Sequence, residues 1–133
     1  MKVVAIDQGT TSTKAFTLDE LGGFHSVAAF DHQQIYPRAG WVEHDPEELF
    51  RNVRRGVEAA GPVDAIGIDN QGETVVAWDS KTGKAIYNAI VWQDDRTQPI
   101  TDRLKAEGAE ELTLNNAGLP LDPYCSASKL RWL

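Results

Sequence analysis

The stretch Lys2–Phe16 constrains the fold of this chain more than any other. Val3–Ile6 is a short apolar run with the β-branched content of a buried strand, and the carboxylate Asp7 follows it directly. After a turn of small and hydroxylated residues, Thr13–Leu18 returns to residue types that favour strands. The pattern predicts two strands joined by a polar turn, with an acidic side chain where the first strand ends.

The composition of this turn is typical of an anion-binding loop. A glycine that adopts a positive φ would let backbone N–H groups converge on one anion, while hydroxyls and a lysine add donors and positive charge. A carboxylate beside the turn could hold a divalent metal ion through water. An ordinary β-hairpin with a polar turn has the same composition, and the P-loop signature G-x-x-x-x-G-K-[ST] is absent. The candidate residues are Gly9, Thr10, Thr11, Ser12 and Lys14 for an anion and Asp7 for a metal ion.

Size and charge exclude several classes of protein. With 133 residues, of which 41% are hydrophobic and 25% charged, the chain has the composition of one globular domain. Its net charge of −7 and the lack of a basic run disfavour broad binding to nucleic acid or to an anionic membrane. No segment reaches the roughly 20 apolar residues of a membrane span, and no secretory signal precedes the first strand. Because Cys125 has no second cysteine to pair with, we expect a cytoplasmic protein.

The next elements predict a mixed α/β fold. Phe24–Ile35 follows a turn and is predicted to be the third strand of an antiparallel meander. Asp45 is a suitable N-cap for the first helix, Pro46 suits its first position and Glu48 completes a capping box. The helix is predicted to end at Gly61, with an apolar stripe formed by Leu49, Phe50, Val53, Val57 and Ala60 and a solvated face formed by Arg51, Arg54, Arg55 and Glu58.

The second half of the chain is predicted to contain short elements. Val63–Asp69 has the composition of a buried strand, which a parallel crossover would place in the same sheet as the first strand. Two short helices broken near Gly108 are expected, and Ser126 is the predicted N-cap of a last helix, Ala127–Leu133. The bare apolar end of that helix predicts that the natural chain continues. Three short extended segments are predicted before these helices, at Thr74–Trp78, Ala85–Tyr87 and Ala89–Trp92.

Several separated stretches, in the same order along nearly the whole chain, resemble the FGGY carbohydrate kinases. The resemblance implies a lobe of the ribonuclease H-like, actin-like ATPase class, with a mixed sheet flanked by helices. It also implies that residues 1–133 are the N-terminal lobe of a two-lobed enzyme whose C-terminal lobe supplies the catalytic base, so that no catalytic residue is expected here. The stretches are Asp7–Ser12, Gly40–Pro46, Asn70–Thr74, Trp78-Asp79, Ile86–Asp94 and Gly118–Tyr124.

The resemblance also implies roles for individual residues. Asp7 matches the family's metal-associated aspartate, for which Mg²⁺ is expected. Thr10, Thr11 and Ser12 match its contacts to the phosphates of ATP. Lys14 stands where an arginine is usual, so it keeps the charge but loses the two-point grip on phosphate. Glu73, Trp92 and Tyr124 match positions of the substrate pocket, as a carboxylate that accepts polyol hydroxyls, an indole wall and a phenol.

Structural roles are the alternative for most of these positions. From composition alone, Trp92 and Tyr124 would be core aromatics and Glu73 a surface carboxylate before a strand. Trp41 and Trp78 are interpreted as structural. Asp69 is expected to order the loop at its strand end, His44 to support the cap of the first helix, and Cys125 to be inert.

One departure from the family concerns the substrate. The members that phosphorylate glycerol have an arginine just before the pocket glutamate, and here that position is Gly72. The loss of a charged donor in a buried site is worth about 1.5–3 kcal/mol. The sequence therefore places glycerol in doubt and is compatible with a longer polyol or a sugar.

The predicted function is the transfer of the γ-phosphoryl group of ATP to a hydroxyl of a small polyol or sugar by the full-length protein, with the 133-residue chain inactive by itself. Two alternatives stay open. One is a non-catalytic nucleotide- or sugar-binding lobe. The other is a ribonuclease H-like nuclease that uses Asp7 and Asp69 to hold two metal ions. Homo-oligomer formation is compatible with each of them.

Overall fold

The computed structural model describes residues 1–133, which separate into two compact units. The first comprises Met1–Gln34 and His44–Gly72, and the second comprises Ile35–Glu43 and Glu73–Leu133. No helix is both long and apolar enough to span a bilayer. In chain order the elements are β1 (Val3–Gln8), β2 (Ser12–Leu18), β3 (Phe24–Asp31), β4 (Glu43–His44), α1 (Pro46–Ala60), β5 (Ala65–Asn70), β6 (Ala89–Ile90), α2 (Gln98–Ala106), α3 (Glu110–Ala117) and α4 (Ser126–Trp132).

The first unit is built on a four-stranded mixed sheet of order β3-β2-β1-β5. β1 and β2 pair antiparallel, as do β2 and β3, whereas β1 and β5 pair parallel. α1 is the crossover between the two parallel strands, as such a connection requires. The predicted meander and the mixed sheet are therefore confirmed. β3 ends at Asp31, earlier than predicted. Beyond it, the backbone N–H of His32 still donates to the carbonyl of Thr11, and Ile35 forms an isolated bridge to Glu43.

α1 covers one face of this sheet. Its boundaries are those predicted, since Asp45 accepts from the N–H of Glu47 and Gly61 adopts a φ of 67° at the end. The prediction of a capping box is wrong, because the carboxylate of Glu48 accepts from the backbone N–H of Gln33 and not from that of Asp45. The prediction that Phe50 belongs to the apolar stripe is wrong, because its side chain is 62% exposed. The core between helix and sheet contains Val4, Ile6, Ala15 and Ala60, with Ala28, Val53, Val57 and Val63 packed against it.

β5 differs from its prediction as a buried strand. All six of its residues are exposed, including Ile66 at 52% and Ile68 at 59%. The register places these two side chains next to the buried Val4 and Ile6 of β1. They are exposed because β5 is an edge strand and α1 packs on β1, β2 and β3.

The second unit has little regular sheet. The predicted strand Thr74–Trp78 is reduced to isolated bridges, from Val75 to Ile90 and from Trp78 to Ala85. The predicted break between α2 and α3 is confirmed at Gly108, whose φ is 81°. α4 begins at Ser126, with Cys125 rather than Ser126 as N-cap.

A buried arginine lies at the centre of the second unit. The side chain of Arg96 is fully buried, and its guanidinium donates to Glu43 at 2.7 Å and to Asp94 at 2.8 Å. Its Cζ lies 3.9 Å from the ring centroid of Trp41 and 4.8 Å from that of Trp132. Trp41 is therefore structural, as predicted, since it covers a buried charge.

Candidate functional site

The side chains around the β1–β2 turn lie on the sheet face opposite α1. Side chains alternate along a strand, so Asp7 points away from the core to which Val4 and Ile6 belong. Asp7 and Lys14 are directly paired across β1 and β2, with 4.0 Å between Lys14 Nζ and Asp7 Oδ2, and each side chain is about half exposed. Ser12 shares their face. Asp7, Ser12 and Lys14 thus form one polar corner of an open sheet face.

Gly9 provides space in the turn and not a special backbone conformation. Its φ is not in the positive range, so the positive φ that a glycine allows is not adopted here. Its N–H donates to the carbonyl of Ser12 at 3.0 Å, so this amide is used within the turn itself. A Cβ at Gly9 would lie 3.3 Å from that carbonyl oxygen and 3.6 Å from Asp7 Oδ1. A larger residue would therefore crowd the carboxylate.

One carbonyl of the turn, that of Thr10, is held by two side chains of the segment that follows β3. The Nε2–H of His32 donates to the Thr10 carbonyl at 2.7 Å, and the Nε2–H of Gln34 donates to the same oxygen at 2.9 Å. In a trans peptide the N–H and C=O point in opposite directions. The N–H of Thr11 is therefore directed away from His32 and Gln34.

A chain of glutamine and histidine side chains continues from this point. His44 Nε2–H donates to Gln34 Oε1 at 2.8 Å, and His44 Nδ1 accepts from Gln71 Nε2 at 3.3 Å. Gln71 also makes a long contact of 3.5 Å to Gln8, whose amide donates to the Gly9 carbonyl at 3.0 Å. Both ends of this glutamine–histidine chain are therefore carbonyls of the same turn, Gly9 and Thr10.

His44 belongs to this glutamine–histidine chain of hydrogen bonds and not to the cap of α1, so the predicted capping role is wrong. Burial and the nearby ring of His32 lower the pKa of His44 to about 4. The hydrogen bonds act in the same direction, since a proton on Nδ1 would face the amide donor of Gln71. His44 is consequently a neutral, fully buried link at neutral pH.

The carboxylates near the turn are oxygen ligands of the kind that bind Mg²⁺. Asp7 and Asp69 are paired in the parallel register of β1 and β5 and share one face. Mg²⁺ is commonly held by one or two carboxylates together with water and substrate phosphates. No group of three or more His, Cys, Asp or Glu side chains that could hold a metal ion exists in the chain.

In the second unit, Glu73 is tied to the start of α4. Its Oε2 accepts from both the backbone N–H and the Oγ–H of Ser126, the latter at 2.6 Å. These hydrogen bonds lower the pKa of Glu73, so it is a carboxylate at neutral pH. Its φ of 63° makes it the one non-glycine residue with a positive φ. Glu73 is partly buried and anchored, not a freely solvated surface carboxylate.

Trp92 and Tyr124 lie in the same unit and contact each other edge to face, with ring centroids 6.0 Å apart. Tyr124 is 47% exposed and Trp92 is partly buried, so neither is a core aromatic. Burial, together with the charges of Glu73 and Asp122, raises the pKa of the Cys125 thiol. Cys125 is therefore protonated at neutral pH, which supports its interpretation as inert.

Gly72 has open space around its Cα. A Cβ built there meets no atom within 4 Å, and its φ is not in the positive range. Neither sterics nor backbone conformation requires glycine at this position.

Several supporting residues were not found from the sequence. Strand alternation could have placed Gln8 on the buried face, because it has the parity of Val4 and Ile6. No local signal distinguishes the others, since their partners are distant in the sequence or, for Lys129, lie in the irregular loop just before α4. They are His32, Gln34, Gln71, Arg96, Ser126 and Lys129.

Comparison with known proteins identifies the family. The model for the N-terminal domain of the FGGY family of carbohydrate kinases matches residues 2–133. A glycerol kinase of Clavibacter michiganensis subsp. michiganensis is 52% identical over 139 residues, covering 98% of this chain. One of Paraburkholderia phytofirmans is 51% identical over 140 residues, with the same coverage. The chain spans 28% of the length of each of these relatives.

Solved structures agree with this result. Plasmodium falciparum glycerol kinase with ADP superposes with a TM-score of 0.91 at 36% identity, covering 99% of this chain and 28% of that protein. Xylulose kinase of Lactobacillus acidophilus has a TM-score of 0.87 at 26% identity, with the same coverage. The chain belongs to the FGGY family of carbohydrate kinases, and it has the actin-like ATPase fold of that family.

Proposed function

We propose that the full-length protein transfers the γ-phosphoryl group of ATP to a hydroxyl of a small polyol or sugar. The observation that carries the proposal is the anchored, ionised Glu73 in the same compact unit as the edge-to-face pair of Trp92 and Tyr124, in a chain that belongs to a carbohydrate kinase family. Relatives about half identical to this chain are glycerol kinases. A similar solved structure is a glycerol kinase with ADP, which supports an adenine nucleotide as cofactor.

We propose that the polar corner on the open sheet face of the first unit binds the phosphates of the nucleotide. Thr10, Thr11 and Ser12 would donate hydroxyl or amide hydrogens to phosphate oxygens, and Lys14 would add positive charge. Asp7 would hold Mg²⁺, which neutralises negative charge on the phosphates when bound. The two hydrogen bonds from His32 and Gln34 to the Thr10 carbonyl hold the turn in one conformation, so its donors would be ordered before the nucleotide binds.

The proposed contacts to the acceptor substrate come from Glu73, Trp92 and Tyr124. An ionised carboxylate accepts hydrogen bonds from hydroxyls, and both bonds from Ser126 end on Oε2. We propose that the other oxygen, Oε1, accepts hydrogen bonds from hydroxyls of the acceptor substrate. The exposed part of Tyr124 offers a phenol, and Trp92 offers an apolar wall. The open space at Gly72 favours an acceptor longer than glycerol.

Phosphoryl transfer depends mainly on alignment of the acceptor and on stabilisation of charge. We assign no catalytic base to this chain. The remaining length of the protein, which the relatives' coverage implies, would supply the base, the adenine contacts and closure over the substrates.

An acceptor panel tests the proposal directly. The full-length protein is mixed with ATP and Mg²⁺, and ADP release is measured with glycerol, longer polyols and sugars in turn. Acceptor-dependent turnover is expected, with at least one acceptor preferred to glycerol. Nucleotide or sugar binding without turnover on any acceptor would instead support a non-catalytic binding lobe and refute the kinase assignment.

A further inference from the structure

Lys129 is a fully buried lysine in the middle of α4. A lysine is almost never completely buried unless its ammonium group has polar partners. Burial lowers the pKa of Lys129, whereas the charges of Glu73, Asp94, Cys125 and Asp122 act in the opposite direction. A buried lysine carries a considerable desolvation cost, which indicates that it has a specific role.

The partners of this ammonium group are backbone carbonyls of the loop just before α4. Lys129 Nζ donates to the carbonyl of Pro123 at 2.7 Å and to that of Tyr124 at 2.5 Å. On the other side of the loop, the N–H of Tyr124 donates to Asp122 Oδ1 at 2.8 Å. The peptide groups on both sides of Tyr124 are therefore fixed, which sets the direction in which its side chain leaves the backbone.

The same loop supplies the groups that hold Glu73. Ser126 follows the fixed carbonyls by two residues, and its N–H and Oγ–H both donate to Glu73 Oε2. The charge of Lys129 also lowers the pKa of Glu73, in addition to the larger effect of the Ser126 hydrogen bonds. One buried ammonium thus acts on Tyr124 through the backbone, and on Glu73 through both Ser126 and its charge.

We infer that Lys129 is a positioning residue for the acceptor pocket: its ammonium fixes the 123–124 carbonyls so that Tyr124 and Glu73 face the acceptor in one arrangement. The inference rests on the proposed kinase function. It assigns Lys129 no contact with the acceptor or with ATP. Loss of Lys129 should therefore weaken use of the acceptor and leave use of the nucleotide unchanged.

The test uses the full-length protein and two substitutions. Lys129→Met removes both the donors and the charge, whereas Lys129→Gln removes the charge and shortens the side chain by one bond but keeps N–H donors. For Lys129→Met, kcat/KM for the preferred acceptor should fall between about tenfold and a hundredfold, since a misplacement near 1 Å has effects of that size. KM for ATP should stay within about twofold of the wild-type value. Lys84→Met, at an exposed lysine of the same unit, is the matched control and should change neither.

The pH profile separates positioning from a merely structural role. With the charge of Lys129 removed, the pKa of Glu73 rises, so the acidic limb of kcat/KM for the acceptor should move to higher pH in both variants. Lys129→Gln should keep more of the acceptor kcat/KM than Lys129→Met, because its amide still donates to a carbonyl. Should Lys129→Met fail to fold, Lys129→Gln still decides the question through its pH profile.

Two outcomes would overturn the inference. One is an active wild-type enzyme with variants whose acceptor kcat/KM and acidic limb do not change. The other is an equal loss for acceptor and ATP with an unchanged limb, which would mean that Lys129 only stabilises the fold. A wild-type protein without any acceptor-dependent turnover would refute the proposed function itself, and the inference with it.

Discussion

Gly72 and Glu73 are neighbours in the sequence whose backbones have opposite requirements. Gly72 has neither a positive φ nor a crowded Cα, so its backbone does not require glycine. Glu73 has a φ of 63°, a conformation that costs a non-glycine residue on the order of 1 kcal/mol. The two hydrogen bonds from Ser126 offset this strain. The identity of Glu73 is therefore explained by its side-chain hydrogen bonds, whereas neither backbone conformation nor sterics explains the glycine at position 72.

The open space at Gly72 leads to a prediction about the acceptor. Gly72→Arg would introduce the charged donor that the resemblance to glycerol-phosphorylating members of the family implies for this position. KM for glycerol should fall about tenfold or more, the equivalent of one charge-assisted hydrogen bond. Steady-state kinetics of the full-length protein with glycerol and with its preferred acceptor would measure the change. Gly72→Met fills similar space without donors, so an equal effect of Met and Arg would contradict this reason.

His44 leads to a prediction about pH and stability. Its pKa is about 4 in the folded protein, against 6.5 for an exposed histidine. As the pH falls from 6.5 towards 4, the unfolded chain binds the proton first, so the folded state loses up to about 3 kcal/mol. Above pH 6.5 this contribution is fully present.

Chemical denaturation between pH 7.5 and 4.5 would measure this loss for the wild type and for His44→Gln. The glutamine variant has no proton to bind, so its stability should depend less on pH over this range. Parallel pH dependences for the two proteins would contradict the assignment of a neutral His44.

At the scale of elements, the contact between α1 and the sheet depends on a glycine. Gly56 is buried in the middle of the helix, where a Cβ would lie 3.0 Å from Ile6 Cδ1 and 3.2 Å from the Cβ of Ala15. A glycine normally weakens a helix by about 1 kcal/mol relative to alanine. The close approach of helix and strands explains why that cost is tolerated here.

Gly56→Leu should therefore destabilise the protein by about 1–3 kcal/mol, because the added atoms force the helix away from β1 and β2. Ala59→Leu, on the exposed side of the same helix, should change stability by less than about 0.5 kcal/mol. Urea denaturation of both variants would measure the difference. Equal effects at the two positions would mean that the packing at Gly56 is not limiting.

The helices were more predictable than the strands. Asp45, Pro46 and Gly61 defined both ends of α1 correctly, because a helix is capped by its own neighbours in sequence. The end of β3, the exposure of β5 and the loss of the strand at Thr74–Trp78 could not be predicted. Each of these depends on pairing or packing with residues distant in the sequence.

At the scale of the whole molecule, each compact unit contains buried polar groups that join distant segments. In the second unit, Arg96 joins Glu43 and Asp94 and lies against Trp41 and Trp132. Burial alone would raise the pKa of Glu43, but hydrogen bonds from Asn88, Arg96 and Tyr87 lower it below its usual value. The cluster is therefore stable as an ionised group only when every partner is present.

Arg96→Met should destabilise this unit by about 3–5 kcal/mol, because Glu43 and Asp94 would be left buried without a counter-charge. Arg103→Met removes an exposed ion pair to Glu107 and should cost less than about 1 kcal/mol. Chemical denaturation of the two variants would compare the losses. A cost at Arg96 as small as that at Arg103 would contradict a structural role for the buried cluster.

The sequence by itself determined the family, the mixed α/β sheet with its antiparallel start and the first helix with both its ends. These features depend on residue order and on signals local to the chain, such as caps, alternation and motif spacing. Tertiary structure alone decided how the turn at Gly9 and Thr10 is held, which oxygen of Glu73 is occupied and where Lys129 donates its hydrogens. The physical reason is that a buried hydrogen bond depends on which residues meet after folding. Here some partners come from segments up to 53 positions apart, and others come from a loop whose path no local signal specifies.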